Sequence, residues 1–130
     1  MELNTRRVGN IIVASPSGRI DHATADPFSQ ALGTHVAQCA AGGPAIVLDM
    51  SGVDYISSVG LRVLMVAAKA LRLRKASIAI ASLQPIVAEI VEISRFHHVV
   101  DVRRDVREAV GAISAQALAA FDRAGATERS

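Results

Sequence analysis

The stretch from Ala45 to Lys75, AIVLDMSGVDYISSVGLRVLMVAAKALRLRK, changes its hydrophobic period once, and that change constrains the fold more than any other feature of the chain. It opens with Ala45-Ile46-Val47-Leu48, a continuous apolar run. A strand carries such a run when both its faces are covered, as in a parallel sheet packed by helices. After Gly60 the apolar residues recur as Leu61, Leu64, Ala67, Ala68 and Leu71, the spacing of a helix that buries one side. A short linker joins the two and carries Ser57-Ser58, so a serine pair is expected where a strand hands over to a helix N-terminus.

The flanking sequence repeats the alternation. Glu2 to Arg7 and Ile11 to Ala14 read as a strand hairpin around Gly9-Asn10. Ser15-Pro16-Ser17-Gly18 breaks the pattern, and Arg19-Ile20-Asp21 is short and extended. Thr24 is placed to cap a helix that buries Phe28, Ala31, Leu32, His35, Val36 and Cys39, with Pro27 in its first turn. Ala41-Gly42-Gly43-Pro44 ends it as a turn. Ser77 to Leu83 is a further buried strand. A helix from Gln84 to Ser94 is expected to bury Ile86, Val87, Ile90 and Val91, and His98 to Val102 to form a last short strand. Asp105 and Glu108 open the final helix in a capping-box arrangement, with Val106, Val110, Ile113, Ala117 and Phe121 inward. The β-β-α-β-α-β-α-β-α order gives one α/β domain over residues 1–123. Its mixed, mostly parallel sheet has about five strands covered by about four helices, lying mainly on one face. Residues 124–130 have nothing to bury and are expected to be a disordered tail.

Composition excludes several classes of function. With 14 basic and 12 acidic residues the net charge is only +2, and aromatics amount to three Phe and one Tyr. Neither a basic stripe nor a stacking platform for nucleic acid is available. Cys39 is alone, which rules out an internal disulfide and fits a reducing cytoplasm. The N-terminus MELNTRRV lacks the apolar core of a signal peptide, and no apolar run reaches membrane-spanning length. No membrane insertion is expected, and the location is cytoplasmic.

A serine at a strand-to-helix turn also invites comparison with a hydrolase nucleophile. The elbow of those enzymes needs G-x-S-x-G, whereas this turn reads Ile56-Ser57-Ser58-Val59-Gly60. His22, His35, His97 and His98 show no ligand spacing with Cys39 or with paired carboxylates, and Gly42-Gly43-Pro44 lacks the lysine of a phosphate loop. A catalytic residue, a metal and a cofactor are therefore not expected, and a small serine hydrolase is a remote alternative. A helix N-terminus does favour negative charge, so a phosphoryl group on this pair would be tolerated. On a 3.6-residue wheel Ser58, Arg62, Met65, Val66, Lys69 and Leu73 lie opposite the Leu64/Leu71 stripe. Apolar groups interleaved with cations beside a capping serine have the makeup of a partner surface.

Leu48 to Leu61, LDMSGVDYISSVGL, resembles the signature D-L-S-x-V-x-[FY]-[IM]-D-S-[ST]-G-L of STAS-domain proteins, the bacterial anti-sigma factor antagonists. Gly18 to Ala25, GRIDHATA, resembles their G-x-[LI]-D-x-x-[TN]-A at the entry to the first helix. The order of elements agrees over roughly residues 2 to 122, nearly the whole chain. The resemblance implies that Ser58 is the phosphorylated serine. Ser57 stands in the usual Asp position, which makes it a second candidate acceptor, and Val59 replaces the usual Ser or Thr. It further implies partner switching: the unmodified form binds a serine kinase that is also an anti-sigma factor, that kinase phosphorylates the serine and so dissociates the pair, and a metal-dependent phosphatase restores it. Asp21 is implied to join the recognition surface. With the wheel, the partner surface then comprises Asp21, Ser57, Ser58, Val59, Gly60, Arg62, Met65, Val66 and Lys69. A monomer or weak dimer is expected. The alternative within the family is a docking subunit that regulates a membrane-transporter ATPase without phosphorylation.

Overall fold

The Gly9-Asn10 turn, with Gly9 at φ 58°, folds β1 (Leu3–Val8) back onto β2 (Ile11–Ile20) in antiparallel register from Val8↔Ile11 to Leu3↔Pro16. In this computed structural model, which describes residues 3–41 and 43–129 and the side chains to residue 124, β2 is the strand that everything else joins. Its first half pairs in parallel with β3 (Ala45–Asp49), from Ile11↔Ala45 to Ala14↔Leu48. Its second half pairs in parallel with β4 (Gly52–Ile56), from Ser17↔Gly52 to Ile20↔Ile56. β5 (Ile78–Ala81) lies beside β3, and β6 (Asp101–Arg103) beside β5, both parallel. The sheet thus has six strands in the order β1-β2-β3-β5-β6, with β4 on β2.

Two expectations are corrected here. The linker between the central strand and helix is itself a strand, β4, and Ser15-Pro16-Ser17-Gly18 does not break β2. The reason lies in the ladder. β3 and β4 follow one another along the same side of β2, and residues 49–51 turn between them, with Asp49 Oδ1 accepting from Ser51 N at 3.1 Å. Pro16, which has no N–H to donate, falls where β2 faces that gap. Beyond Gly18 the register slips, so Asp54 is the extra, exposed residue between Val53 and Tyr55.

Alternation along the three central strands explains their unbroken apolar runs. Ile12, Ala14, Ile46, Leu48 and Ile80 point to one face, against α1 (Ala25–Val36), α2 (Ser58–Leu73) and α3 (Pro85–Ile93). Ile11, Val13, Ala45, Val47, Ala79 and Ala81 point to the other, against α4 (Val106–Ile113) and α5 (Ala115–Arg129). Helices therefore cover both faces rather than mainly one. The five helices include a break in the expected last one: Ser114 is extended (φ −154°, ψ 121°) and its hydroxyl accepts from Ala117 N at 3.1 Å, which caps α5 as α4 ends. A two-toothed Arg107–Asp122 pair, 3.1 Å at each contact, ties α5 back to α4. Asp105 caps α4 as its spacing implied, accepting from Glu108 N at 2.8 Å.

Other departures are local. The expected strand at His98–Val102 begins at Asp101, because Arg95 takes a left-handed φ of 59° and Phe96–His98 coil into a 3₁₀ turn that drives Phe96 into the core. Ile86 lies outside the buried face of α3 and is 55% exposed, while Val87 and Val91 are buried. Glu2 and Gly42 lie outside the described residues. Among the described residues no helix is long and apolar enough to cross a membrane.

Candidate functional site

β2 and β4 end side by side, and the Ser57 amide extends their ladder by donating to Ile20 O at 2.8 Å. Ser57 itself is extended, at φ −89° and ψ 173°, and α2 starts with the next residue. Its hydroxyl accepts from Gly60 N at 3.3 Å and its carbonyl from Leu61 N at 2.9 Å. The structure therefore separates the serine pair. Ser57 is the cap, half-buried and committed to holding the helix start. Ser58 is the first helical residue, exposed, and its hydroxyl makes no hydrogen bond among the described residues.

Gly60 turns inward rather than toward a partner. A Cβ there would lie 2.7 Å from Ile20 Cγ2, 2.8 Å from Ile56 Cγ1 and 3.0 Å from Ile20 O. Only glycine lets the first turn of α2 settle on the two isoleucines that end the paired strands. That contact fixes where the serine pair stands.

Asp21 follows Ile20 and so lies across the strand ends from Ser57. Its Oδ1 accepts from Ala23 N at 3.0 Å and Thr24 N at 3.3 Å, and its Oδ2 lies 3.5 Å from Arg19 Nε. Desolvation pushes the carboxyl pKa up, but the two backbone donors and the guanidinium outweigh it and hold it below the ordinary value. Thr24 occupies the cap position of α1 without capping. Its hydroxyl donates to Arg19 O at 2.8 Å and accepts from Asp21 N at 3.0 Å, which ties the loop to the strand end instead.

Strand alternation puts Arg19, Asp21, Tyr55 and Ser57 on the face opposite Ile20 and Ile56. There the Arg19 guanidinium sits 4.3 Å from the centre of the Tyr55 ring. Neither Arg19 nor Tyr55 was singled out from sequence. Both lie inside the motifs quoted above, but what pairs them is the Arg19↔Tyr55 register across two strands, which spacing within one strand does not reveal.

Along α2 the wheel holds with one correction. Arg62, Val66 and Lys69 are exposed, and Val59 joins them at the first turn. Met65 is half-buried and packs on the core that α2 shares with the sheet. Of the expected surface, Asp21, Ser57, Ser58 and Val59 gather at the strand ends, Arg62, Val66 and Lys69 continue along the helix, and Gly60 and Met65 belong to the packing beneath. The His97 and His98 rings meet at a tilt of 48° with centroids 4.3 Å apart in the 3₁₀ turn, and neither is hydrogen-bonded to a serine.

The family model of the STAS domain matches residues 2–109. The chain belongs to the STAS domain family. Among curated proteins this STAS domain is similar to one from Bordetella bronchiseptica named as a candidate anti-sigma factor antagonist, BtrV, with 35% identity over 118 residues that cover 91% of this chain and 98% of the relative. Among solved structures it is similar to an anti-sigma factor antagonist from Mycobacterium paratuberculosis, at a TM-score of 0.77 and 25% identity over 86% of this chain and 92% of that one. The Bacillus protein SpoIIAA in its phosphorylated form shares the fold, with a TM-score of 0.63 and 14% identity over 87% of this chain and all of that one (100%).

Proposed function

We propose that this STAS domain is an anti-sigma factor antagonist that works by partner switching. In the unmodified state its Asp21/Ser57/Ser58/Val59 surface, continued by Arg62, Val66 and Lys69, binds a serine kinase that is also an anti-sigma factor, so the sigma factor is released. The kinase then phosphorylates Ser58 and the pair dissociates, and a metal-dependent phosphatase returns the domain to its binding form. The domain is a cytoplasmic binding module and not an enzyme.

One observation carries the reading: the two serines have different duties. Ser57 spends its hydroxyl on the Gly60 amide, whereas the Ser58 hydroxyl is exposed at the first position of a 16-residue helix. A phosphoryl group on Ser58 adds about −1.5 to −2 charge beside first-turn amides and the positive end of the helix dipole, where the fold accommodates it. In a contact face the same group has to be desolvated or to meet a partner's acid, which costs roughly 2–5 kcal/mol and is enough to reverse binding. The similarity to antagonists over nearly the whole chain agrees with this role.

The test is incubation with the cognate anti-sigma kinase and ATP, followed by intact-mass and peptide analysis. One phosphate is expected on Ser58, lost in Ser58→Ala and kept in Ser57→Ala, while Ser58→Ala retains kinase binding. A phosphate lost with Ser57→Ala and kept with Ser58→Ala would move the acceptor by one residue. A chain modified at neither serine would be a docking subunit of the transporter-regulating type instead.

A further inference from the structure

We propose that the groove between α1 and α2 seats an amphipathic helix with an acidic flank, contributed by the protein this domain binds. The proposal rests on the reading of the domain as a protein-binding module and extends the surface that begins at Ser58 along α2 to Leu73 and into the groove beside it. Five large apolar side chains are exposed among the described residues, and three of them, Val59 (43%), Val66 (58%) and Leu73 (87%), stand seven residues apart on α2. That spacing sets them on one ridge roughly 21 Å long, the seam along which one helix receives another. Beside the ridge runs an apolar groove of about 90 Å³, walled by Leu32, Gly33, Val36, Val63 and Ala70.

Gly33 is the telling wall residue. It lies mid-helix in α1, at an ordinary helical φ, and a Cβ there would meet nothing within 4 Å. Neither a turn nor crowding calls for glycine, and in a helix interior it weakens the helix relative to alanine. What it does is keep the groove open.

Charge selects the occupant. α2 carries Arg62, Lys69 and Arg72 and no acidic residue. Arg62 and Lys69 flank the ridge on the side away from the groove and make no ion pair among the described residues. A second copy of this chain would set those cations against themselves, and nucleic acid would leave the apolar ridge without a partner. A bilayer is flat and would leave the groove empty. An acidic helix laid along the ridge sets one apolar side chain into the groove, whose roughly 90 Å³ suits a single such group, and pairs with both cations.

The isotope-labelled full chain should be titrated with two synthetic helical peptides of about three heptads, identical in their leucine seam and differing only in glutamate or lysine flanks. Phosphatidylglycerol vesicles are titrated in parallel. The glutamate peptide is expected to shift the amides of Gly33, Val59, Val63, Val66 and Ala70 and to bind at least about tenfold tighter than the lysine peptide. Gly33→Leu should weaken binding about tenfold while raising the unfolding midpoint, which separates a blocked groove from a damaged fold. Val66→Asp should weaken binding with the midpoint unchanged. Equal affinity for both peptides, shifts mapping elsewhere, undiminished binding by Gly33→Leu, preference for the vesicles, or a dimer abolished by Leu73→Asp would each overturn the proposal. No kinase or nucleotide enters this measurement, so its failure leaves the serine switch untouched, and failure of that switch leaves the groove result standing.

Discussion

Gly60→Ala is expected to destabilise the domain although it places alanine in a helix. The new methyl would meet Ile20 Cγ2 at 2.7 Å, Ile56 Cγ1 at 2.8 Å and Ile20 O at 3.0 Å. Ile20 and Ile56 are fully buried β-branched side chains, stiff at χ1 and hemmed in by the core, and the carbonyl is backbone. The first turn of α2 has to lift instead, which stretches the 2.8 Å Ser57–Ile20 ladder bond and the cap behind it. Overpacking of this kind costs about 1–3 kcal/mol. Alanine's helix propensity returns about 0.5–1 kcal/mol. The net loss is roughly 1–2 kcal/mol, a fall of about 3–8 °C in the unfolding midpoint for a chain of this size. Gly33→Ala is the internal control, since its Cβ meets nothing within 4 Å and the substitution should raise stability by about 0.5–1 kcal/mol. Thermal unfolding followed by circular dichroism reads both. A Gly60→Ala midpoint equal to or above that of the parent, or both variants moving in the same direction, would refute the argument that close approach, rather than partner contact, requires glycine at the serine turn.

Ser57→Ala should lower stability by about 1 kcal/mol through loss of the cap, whereas Ser58→Ala, which removes an unbonded hydroxyl, should leave the midpoint within error. Met65→Asp should cost about 1–3 kcal/mol because it buries a carboxylate against the core, while Val66→Asp one residue on should be neutral in chemical denaturation. Asp21→Asn should lower stability at neutral pH but not in strong acid: the folded carboxyl has a depressed pKa, so its contribution is complete above the unfolded value of about 3.9 and is lost as pH falls through the folded one. Unfolding midpoints of both proteins across the acidic range check that convergence.

The class of fold and most of its elements were legible because the residues that build them act locally or in simple periods. Ala45–Leu48 is apolar throughout, since Ala45 and Val47 serve one core while Ile46 and Leu48 serve the other, and the run by itself demanded cover on both faces. The expectation of helices mainly on one face rests on the order of elements alone, and the run argues against it. β4 is not legible as a strand because Gly52 and Asp54 interrupt its alternation, and a bulge at Asp54 shifts the burial of Tyr55 and Ile56 out of a simple period. Pro16 looked like a breaker because its missing donor is visible in sequence and the gap opposite it is not. At the site, the serine pair and Asp21 could be found from short motifs. The duties of the two serines, the inward role of Gly60 and the Arg19–Tyr55 contact depend on how two strands end together, which only the register supplies.

The same register explains why charge can be added at this site without unsettling the domain. Along β3 the sheet continues through β5 to β6, but among the described residues β4 is paired only with β2. The serine pair therefore crowns a two-stranded extension, and two strands alone are marginal in water. What holds the extension is packing from below, with α2 seated through Gly60 on Ile20 and Ile56, and a tie from the start of α3, where Gln84 Nε2 donates to Ser51 O at 2.8 Å. All of these contacts lie on the inner face or at the base. Ser58, Val59 and the Arg19–Tyr55 pair lie outside them, so charge added at Ser58 changes the outer surface while the groups that set its position keep their partners. A modification placed this way alters what can dock and leaves the fold that presents it intact, which is the behaviour a reversible partner switch requires.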